Sequence, residues 1–377
     1  MTAWPDTLSC ALRGERLRDL ADLEGMTMKD LARSLDVTPA QISRIANGKA
    51  PLTAAVVERA TDVYGLFPSF FAIVPLPQDH AAVTFRKRST STVTEDRRVA
   101  ALFTEASRLW REASRRSGYK TADLPDPRDH DGNIEATAVA VREMDGLDED
   151  DPVPNLTRMI ERRGVGVING LDPDRPDSDR HSGVSRPSRS EDRPLVATVN
   201  RQPGAVSRLT LAHELGHVVL DQDLATPPSA RSWEERRAFM FAGAILLPES
   251  VMRQRVDEGL TLHSYLRIKA DYGVSVGAII TRAEKLGVIS RRRARSLRIQ
   301  LNSQGWRHDE PVDVPDEQIA LLPQALERVW PVNTDMAAAQ DTGAARHLIQ
   351  VWAQGTSTPP SCPVPSNVIS LSSVRRP

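Results

Sequence analysis

In TMKDLARSLDVTPAQISRIANGKA, residues 27–50, the apolar positions Leu31, Ala32, Leu35, Val37, Ile42 and Ile45 fall where two short crossed helices bury them against each other. Turn chemistry marks the ends of both. Thr27 followed by Asp30 makes a capping-box-like entry to the first. Thr38 as N-cap, Pro39 as first helical residue and Gln41 open the second, which Asn47-Gly48 stops. A helix over about 8–23 precedes this pair, and TAAVVERATDVYG adds a fourth that ends at Gly65. The pattern leaves Pro39, Ala40, Gln41, Ser43 and Arg44 on the open face of the second helix, with Thr38 at its entry as a further candidate for DNA contact.

Further along, Ala72 to Thr94 loses periodicity, carries Pro75, Pro77 and the basic FRKRST, and predicts a linker. Helices are expected over about 95–118 and 133–145, and NLTRMIERRGVGVI predicts a helix running into a strand. Charges and prolines dominate 171–193, which predicts a mobile loop. PLVATVN (194–200) reads as a strand, either an internal one or an edge to which a peptide adds. LTLAHELGHVVL (209–220) is apolar nearly all round and predicts a buried helix. Further helices are expected over about 232–247, 262–272, 275–286, 291–301, 316–330 and 335–353, before a Ser/Pro-rich tail at 354–377 that predicts disorder. The fold class is mainly α with a small β-sheet (α+β). The expected organisation is a helical domain at 1–75, a linker and connecting helix at 76–130, a second domain at 131–310, and C-terminal helices at 311–353.

Composition narrows the class. The 377 residues are 40% hydrophobic and 26% charged, with a net charge of −1, which argues against a polyanion binder along the whole length and leaves local basic patches open. Cys10 and Cys362 lie near opposite ends, so neither a disulfide framework nor a thiolate metal site is expected. The first residues lack a basic region followed by an apolar run, and no window approaches the length of a membrane span. A cytoplasmic protein is the expectation.

Two segments carry chemistry. Gln41 and Arg44 are side-chain types that read adenine and guanine edges in a major groove, with Lys49 placed for phosphate. The runs Arg86-Lys87-Arg88 and Arg291-Arg292-Arg293, with Arg295 and Arg298, either extend such a footprint or are solvated faces. In the buried helix, His213 and His217 lie one turn apart on one face, where both imidazoles reach one cation, and Glu214 is placed to take a proton from activated water. A third ligand is sought in SWEERRAFMFAGAILLP (232–248). Glu235 shares a face with Ala238, Phe239, Ala242 and Leu246, with Glu234 as the alternative. Ser232 with Glu235 is also a capping box, which explains Glu235 without metal. His263, Tyr265 and Tyr272 are candidates by type alone for an oxyanion partner.

The first pattern resembles the Cro/C1-type (XRE) helix-turn-helix, in which Leu-Ala, a turn, Val, Ile-Ser and Asn-Gly recur at these spacings. Here Asp36 stands where that family usually has glycine, Ala46 where glutamate is common, and Met28 where glutamine often touches phosphate. HELGH, then E-x-x-A-x-x-F-A-x-x-I-L-L-P, YGVSVGAIITRAEKLGVIS and GWRHDEP together resemble the ImmA/IrrE metallopeptidases, in which fusion to a Cro/C1 domain is familiar. The resemblance implies a gluzincin-like domain with Zn2+ held by His213, His217 and Glu235 and with Glu214 as general base. It implies double-stranded operator DNA as one partner and a repressor as substrate, in a stress or mobile-element response; paired half-sites imply a homodimer. The rival expectations are a regulator whose peptidase-like domain senses a ligand or metal without proteolysis, and a toxin-antitoxin or prophage module.

Overall fold

A computed structural model of the chain describes residues 12–87, 91–175, 181–229, 231–307 and 309–353. The fold is mainly helical with one four-stranded sheet, as expected. Among the described residues no helix is long and apolar enough to cross a membrane.

The helix-turn-helix begins with α1 (Arg16–Leu23), α2 (Met28–Ser34), α3 (Pro39–Ala46) and α4 (Ala54–Tyr64). Thr27 and Thr38 cap α2 and α3, their hydroxyls accepting the N–H of Asp30 and Gln41, so two otherwise orphaned amides are satisfied at each entry. Leu31, Ala32, Leu35, Ile42 and Ile45 are all buried between the helices. Asp36, in the turn, sits at φ 55°, the left-handed conformation that favours glycine and that aspartate tolerates better than most side chains. The expected first helix over 8–23 is described only from Arg16; residues 1–11 lie outside the description, as does the tail at 354–377.

The linker expectation is corrected. Residues 76–94 contain a short 3-10 turn and a strand, β1 (Thr84–Lys87), before α5 (Val93–Ser117). α5 buries Val99, Leu102, Phe103, Ala106, Leu109, Trp110 and Ala113 at helical spacing, and it is the wall on which the N-terminal helices stand. Arg16 of α1 donates to the Phe70 carbonyl at 2.9 Å and to Glu105 of α5 at 3.0 Å, both partners being buried. Arg98 of α5 donates to the Leu23 carbonyl and, at 2.7 to 2.8 Å, to both oxygens of Asp172. A buried arginine tied at both ends joins two bodies rigidly, because freeing either partner strands a charge away from water.

The sheet is ordered β1-β3-β4-β2, with β2 (Gly166–Asn169), β3 (His181–Ser185) and β4 (Leu195–Thr198); β2 runs parallel to β4, and the other pairs are antiparallel. The mobile-loop expectation for 171–193 is therefore corrected, since β3 is a buried strand within it. Its sequence, HSGVS, carries little apolar content and is held by ladders on both sides rather than by its own pattern. PLVATVN contains β4, an interior strand, so the edge reading for it falls and β1 and β2 are the edges. β4 alternates: Leu195 and Ala197 face the core shared with α5 and the N-terminal helices, Val196 the core shared with the helix below.

That helix is α8 (Gly204–Leu220), following α6 (Ile134–Glu143) and α7 (Leu156–Arg162). α9 (Trp233–Leu246), α10 (Glu249–Arg255), α11 (Tyr265–Tyr272), α12 (Val276–Lys285) and α13 (Arg291–Ser303) complete the second core. The chain then returns to the first core as α14 (Leu321–Val329), α15 (Thr334–Thr342) and α16 (Arg346–Ala353). The single helix expected over 335–353 is broken at Gly343, where φ is 75° and a side chain would meet the Phe70 backbone at 2.7 Å. Trp352 donates to the Leu171 carbonyl at 3.0 Å, so the C-terminal helices close over the sheet.

The Asp36 conformation yields a prediction. Asp36→Gly should melt at or above the parent temperature, whereas Asp36→Val should lose about 1–2 kcal/mol, since a β-branched residue is strained at that φ. Calorimetric melting of both variants checks this; equal loss in both contradicts the assignment of the turn.

Candidate metal centre and nucleic-acid interface

α8 is a helix with almost no solvent face, and His213, Glu214 and His217 on it are fully buried. Buried imidazoles and carboxylates need partners, and α9 supplies one. The crossing is close because Gly216 lacks a side chain: a Cβ there would lie 3.1 to 3.2 Å from Phe241 and Ala238. That approach carries the Glu235 carboxylate to 3.3 Å from the Nε2 of both His213 and His217, whose Nε2 atoms are 3.1 Å apart. One donor atom from each residue lies within 4.8 Å of the others, a spacing a single cation can draw together.

The capping box around Glu235 is half formed. Ser232 accepts the Glu235 N–H at 3.3 Å, but the Glu235 carboxylate turns to the histidines, and Ser232 engages the Glu234 side chain instead. Glu234, the alternative ligand, is thus occupied at the helix entry. Phe239, expected on the buried face, is 42% exposed and lays its ring against His213 with centroids 4.3 Å apart.

A second layer orients the candidate ligands. Asp221, four residues beyond His217 at the end of α8, meets His217 Nδ1 at 2.5 Å and is itself held by Arg237 of α9. This leaves Nε2 as the nitrogen facing Glu235, the arrangement in which a carboxylate fixes a ligating imidazole. Burial disfavours a charged His217, but the hydrogen bonds to Asp221 and Glu235 outweigh it and raise its pKa to about 9. Burial works on Glu235 in the opposite sense to its histidine partners, which prevail and lower its pKa to about 2. The cluster therefore favours positive charge at its centre, from protons or from a cation. Sequence reasoning missed Asp221, although the i, i+4 spacing from His217 was legible.

Glu214, which acts electrostatically on His217, is held from the side of the sheet. Ser185 of β3 donates to Glu214 Oε2 at 2.7 Å, and Thr84 of β1 shares the Ser185 hydroxyl at 2.6 Å. Gly183 is required here: a Cβ would stand 2.4 Å from Glu214 Oε1. The candidate oxyanion partners are engaged elsewhere. Tyr272 donates to the Asp150 carbonyl at 2.8 Å, His263 packs against Trp306, and Tyr265 is buried in the second core.

At the other end of the chain, Thr38, Gln41, Ser43, Arg44 and Lys49 are all exposed on or beside α3. The Thr38 hydroxyl serves as the cap, and Asn47 donates to the Ser43 hydroxyl at 3.3 Å and to its carbonyl at 2.7 Å. Met28 packs against the core, and Ala46 is buried. Arg88 and the side chains of Arg86 and Lys87 lie outside the description. In the second basic run, Arg298 pairs with Glu284 and Arg293 donates to the Leu260 carbonyl, while Arg291, Arg292 and Arg295 are exposed.

Comparison with known proteins bears on both ends. Residues 168–284 match the family model of the IrrE N-terminal-like domain, and residues 14–69 match that of a helix-turn-helix domain. Over 59 residues the chain is 37% identical to the HTH-type transcriptional regulator RamB of Mycobacterium tuberculosis, in strains CDC 1551 / Oshkosh and ATCC 25618 / H37Rv. The match covers 16% of this chain and 12% of the length of each relative. The chain thus joins a DNA-binding helix-turn-helix domain to a metallopeptidase-like domain.

The packing around Glu214 is directly testable. Gly183→Ala forces Glu214 or β3 to move and should cost about 1–3 kcal/mol, the usual penalty of overpacking a dense core. Gly183→Ala in a Glu214→Ala background should recover part of that loss, since the Thr210 methyl, 2.6 Å from the added Cβ, still has to give way. Denaturant unfolding of the three variants measures the coupling, and strictly additive effects contradict the contact.

Proposed function

We propose that the protein is a transcriptional regulator that binds operator DNA through α3 and carries a zinc-dependent endopeptidase domain acting on a partner repressor, in a stress or mobile-element response. The observation that carries this reading is the convergence of His213, His217 and Glu235 from two helices, with Glu214 held beside them by Ser185. The donor set suits zinc: two nitrogens and a carboxylate oxygen, with Asp221 orienting one imidazole. Zinc, when bound, supplies a Lewis acid that makes water acidic near neutral pH and polarises a peptide carbonyl. Glu214 is the general base in this account, taking a proton from the attacking water at a carboxylate oxygen and delivering it to the departing amide nitrogen. Ser185 keeps that carboxylate oriented, and the apolar surround of α8 keeps bulk water out.

On the DNA side, Gln41 and Arg44 are assigned to base edges, Thr38 and Ser43 to the rim of the groove, and Lys49 to phosphate. Their exposure on one side of a capped, well-anchored helix supports that assignment.

A second reading, a peptidase-like domain that senses a metal or ligand without cutting, is favoured by a separate observation. β3 is the strand next to Glu214, and its outer edge is already paired with β1 of the same chain, where an added peptide strand is otherwise accepted. β1 lies outside the region that matches the peptidase-like family.

Two experiments separate these accounts. In the peptidase reading, Glu214→Gln retains metal yet loses cleavage by at least a hundredfold, while His213→Ala loses both; a Glu214→Gln strain with full regulatory activity sinks the peptidase and leaves the sensor. For DNA, Gln41→Ala with Arg44→Ala should abolish sequence-specific retardation in a mobility-shift assay at fixed salt while the circular dichroism spectrum is unchanged. Undiminished specific binding removes α3 from the reading role.

A further inference from the structure

One buried charge has no part in either function. Arg186 directly follows Ser185 at the end of β3 and is 6% exposed. Its Nη2 donates to the Thr104 hydroxyl of α5 at 2.7 Å, and its guanidinium lies 5.6 Å from the Phe103 ring centroid. Nε and Nη1 have no hydrogen-bond partner among the described residues. Other buried arginines of this protein have carboxylate or carbonyl partners: Arg16 has Glu105 and Asp19, with only its Nη2 left over, Arg98 has Asp172, Arg142 has carbonyl oxygens, and Arg282 has Glu135.

The carboxylates nearest Arg186 are already committed. Asp79 accepts from Arg108 at 3.0 Å and from the Leu76 N–H at 2.9 Å, and Glu191 accepts from Arg111 at 2.5 Å. Burial without a dedicated counter-ion pushes the Arg186 pKa down to about 10. A buried cation left in that condition destabilises the fold, a penalty that a bound anion relieves.

Space for such an anion is present. Arg186 lines a cavity of about 510 Å³ in the seam between the DNA domain and the sheet, with α1 on one wall, α5 on another and the segment before β1 on a third. That volume is in the range of small-molecule sites. The arginines and acids lining it are equal in number, so the wall as a whole does not attract polyanions, and a doubly charged group meets Asp79 and Glu105. Val83, Ala100 and Ala101 supply an apolar side.

We propose that this cavity binds a small monocarboxylate, toward which the Arg186 guanidinium, its Nε and Nη1 closed to solvent in the unliganded chain, turns to donate, with the apolar body lying against Val83, Ala100 and Ala101. The site is independent of peptidase activity. It is lined by α1 of the helix-turn-helix and by Arg186, whose chain neighbour Ser185 holds Glu214.

The test is thermal unfolding of the full chain at constant ionic strength, titrated with pentanoate, benzoate or inorganic phosphate. At least one of the two carboxylates should raise the melting temperature saturably, and phosphate should not. Arg186→Met should melt at or above the parent in the absence of carboxylate, because it removes an unpaired buried charge, and should show no saturable shift. Arg186→Lys, which keeps the charge without the planar fork, should raise the half-saturating concentration at least tenfold. The proposal is overturned if neither carboxylate shifts the parent, if all proteins shift alike, if phosphate matches the carboxylates, or if Arg186→Met is strongly destabilised in their absence.

Discussion

Two imidazoles and two carboxylates are buried together in the middle of an otherwise apolar core, and the rest of the second domain is arranged around making that tolerable. A lone buried charge costs several kcal/mol, so each of these groups must be answered by another within hydrogen-bond reach. Gly216 permits the helix crossing that brings Glu235 to His213 and His217. Asp221 and Arg237 answer the far side of His217, and Ser185 answers Glu214. Gly183 leaves room for the Glu214 carboxylate beneath the sheet. Removing any one of these supports leaves a polar atom stranded, which is why the site and the fold are specified together.

The first core has a different logic. The DNA domain, α5, one face of the sheet and the C-terminal helices share a single continuous apolar interior, pinned by Arg16 to Glu105 and by Arg98 to Leu23 and Asp172. The helix-turn-helix is therefore not a module swinging on a tether. Its orientation relative to the strand β1, and through β1 to Ser185 and Glu214, is set by packing. Close-packed interiors transmit displacement rather than absorbing it, so α3 and the cluster of His213, His217 and Glu235 are linked through continuous packing within one chain.

Helices and their caps were legible in the sequence because their signals are local. Thr27, Thr38 and Pro39 announce α2 and α3, and the apolar periodicity of the helices places their buried faces. His213, Glu214 and His217 are legible for the same reason, as they lie within one turn of one helix. The role of the Glu235 carboxylate was ambiguous, since Ser232 offers a rival use that the sequence cannot exclude and only the crossing of α8 and α9 decides. β1 and β3 were missed outright. TFRK and HSGVS are polar, flanked by prolines and charges, and become strands only because each finds the other about a hundred residues away. Arg186 was invisible for a related reason: nothing in its neighbours along the chain tells that it is buried without a carboxylate.

The account rests on a metal ion held by His213, His217 and Glu235. Elemental analysis of the full-length protein, purified without chelators or added metal, alongside Glu235→Ala prepared identically, tests this most directly. The expected result is about one zinc per chain in the parent and a large loss in the variant. A folded parent protein containing no stoichiometric metal, or a variant that retains it undiminished, contradicts the account.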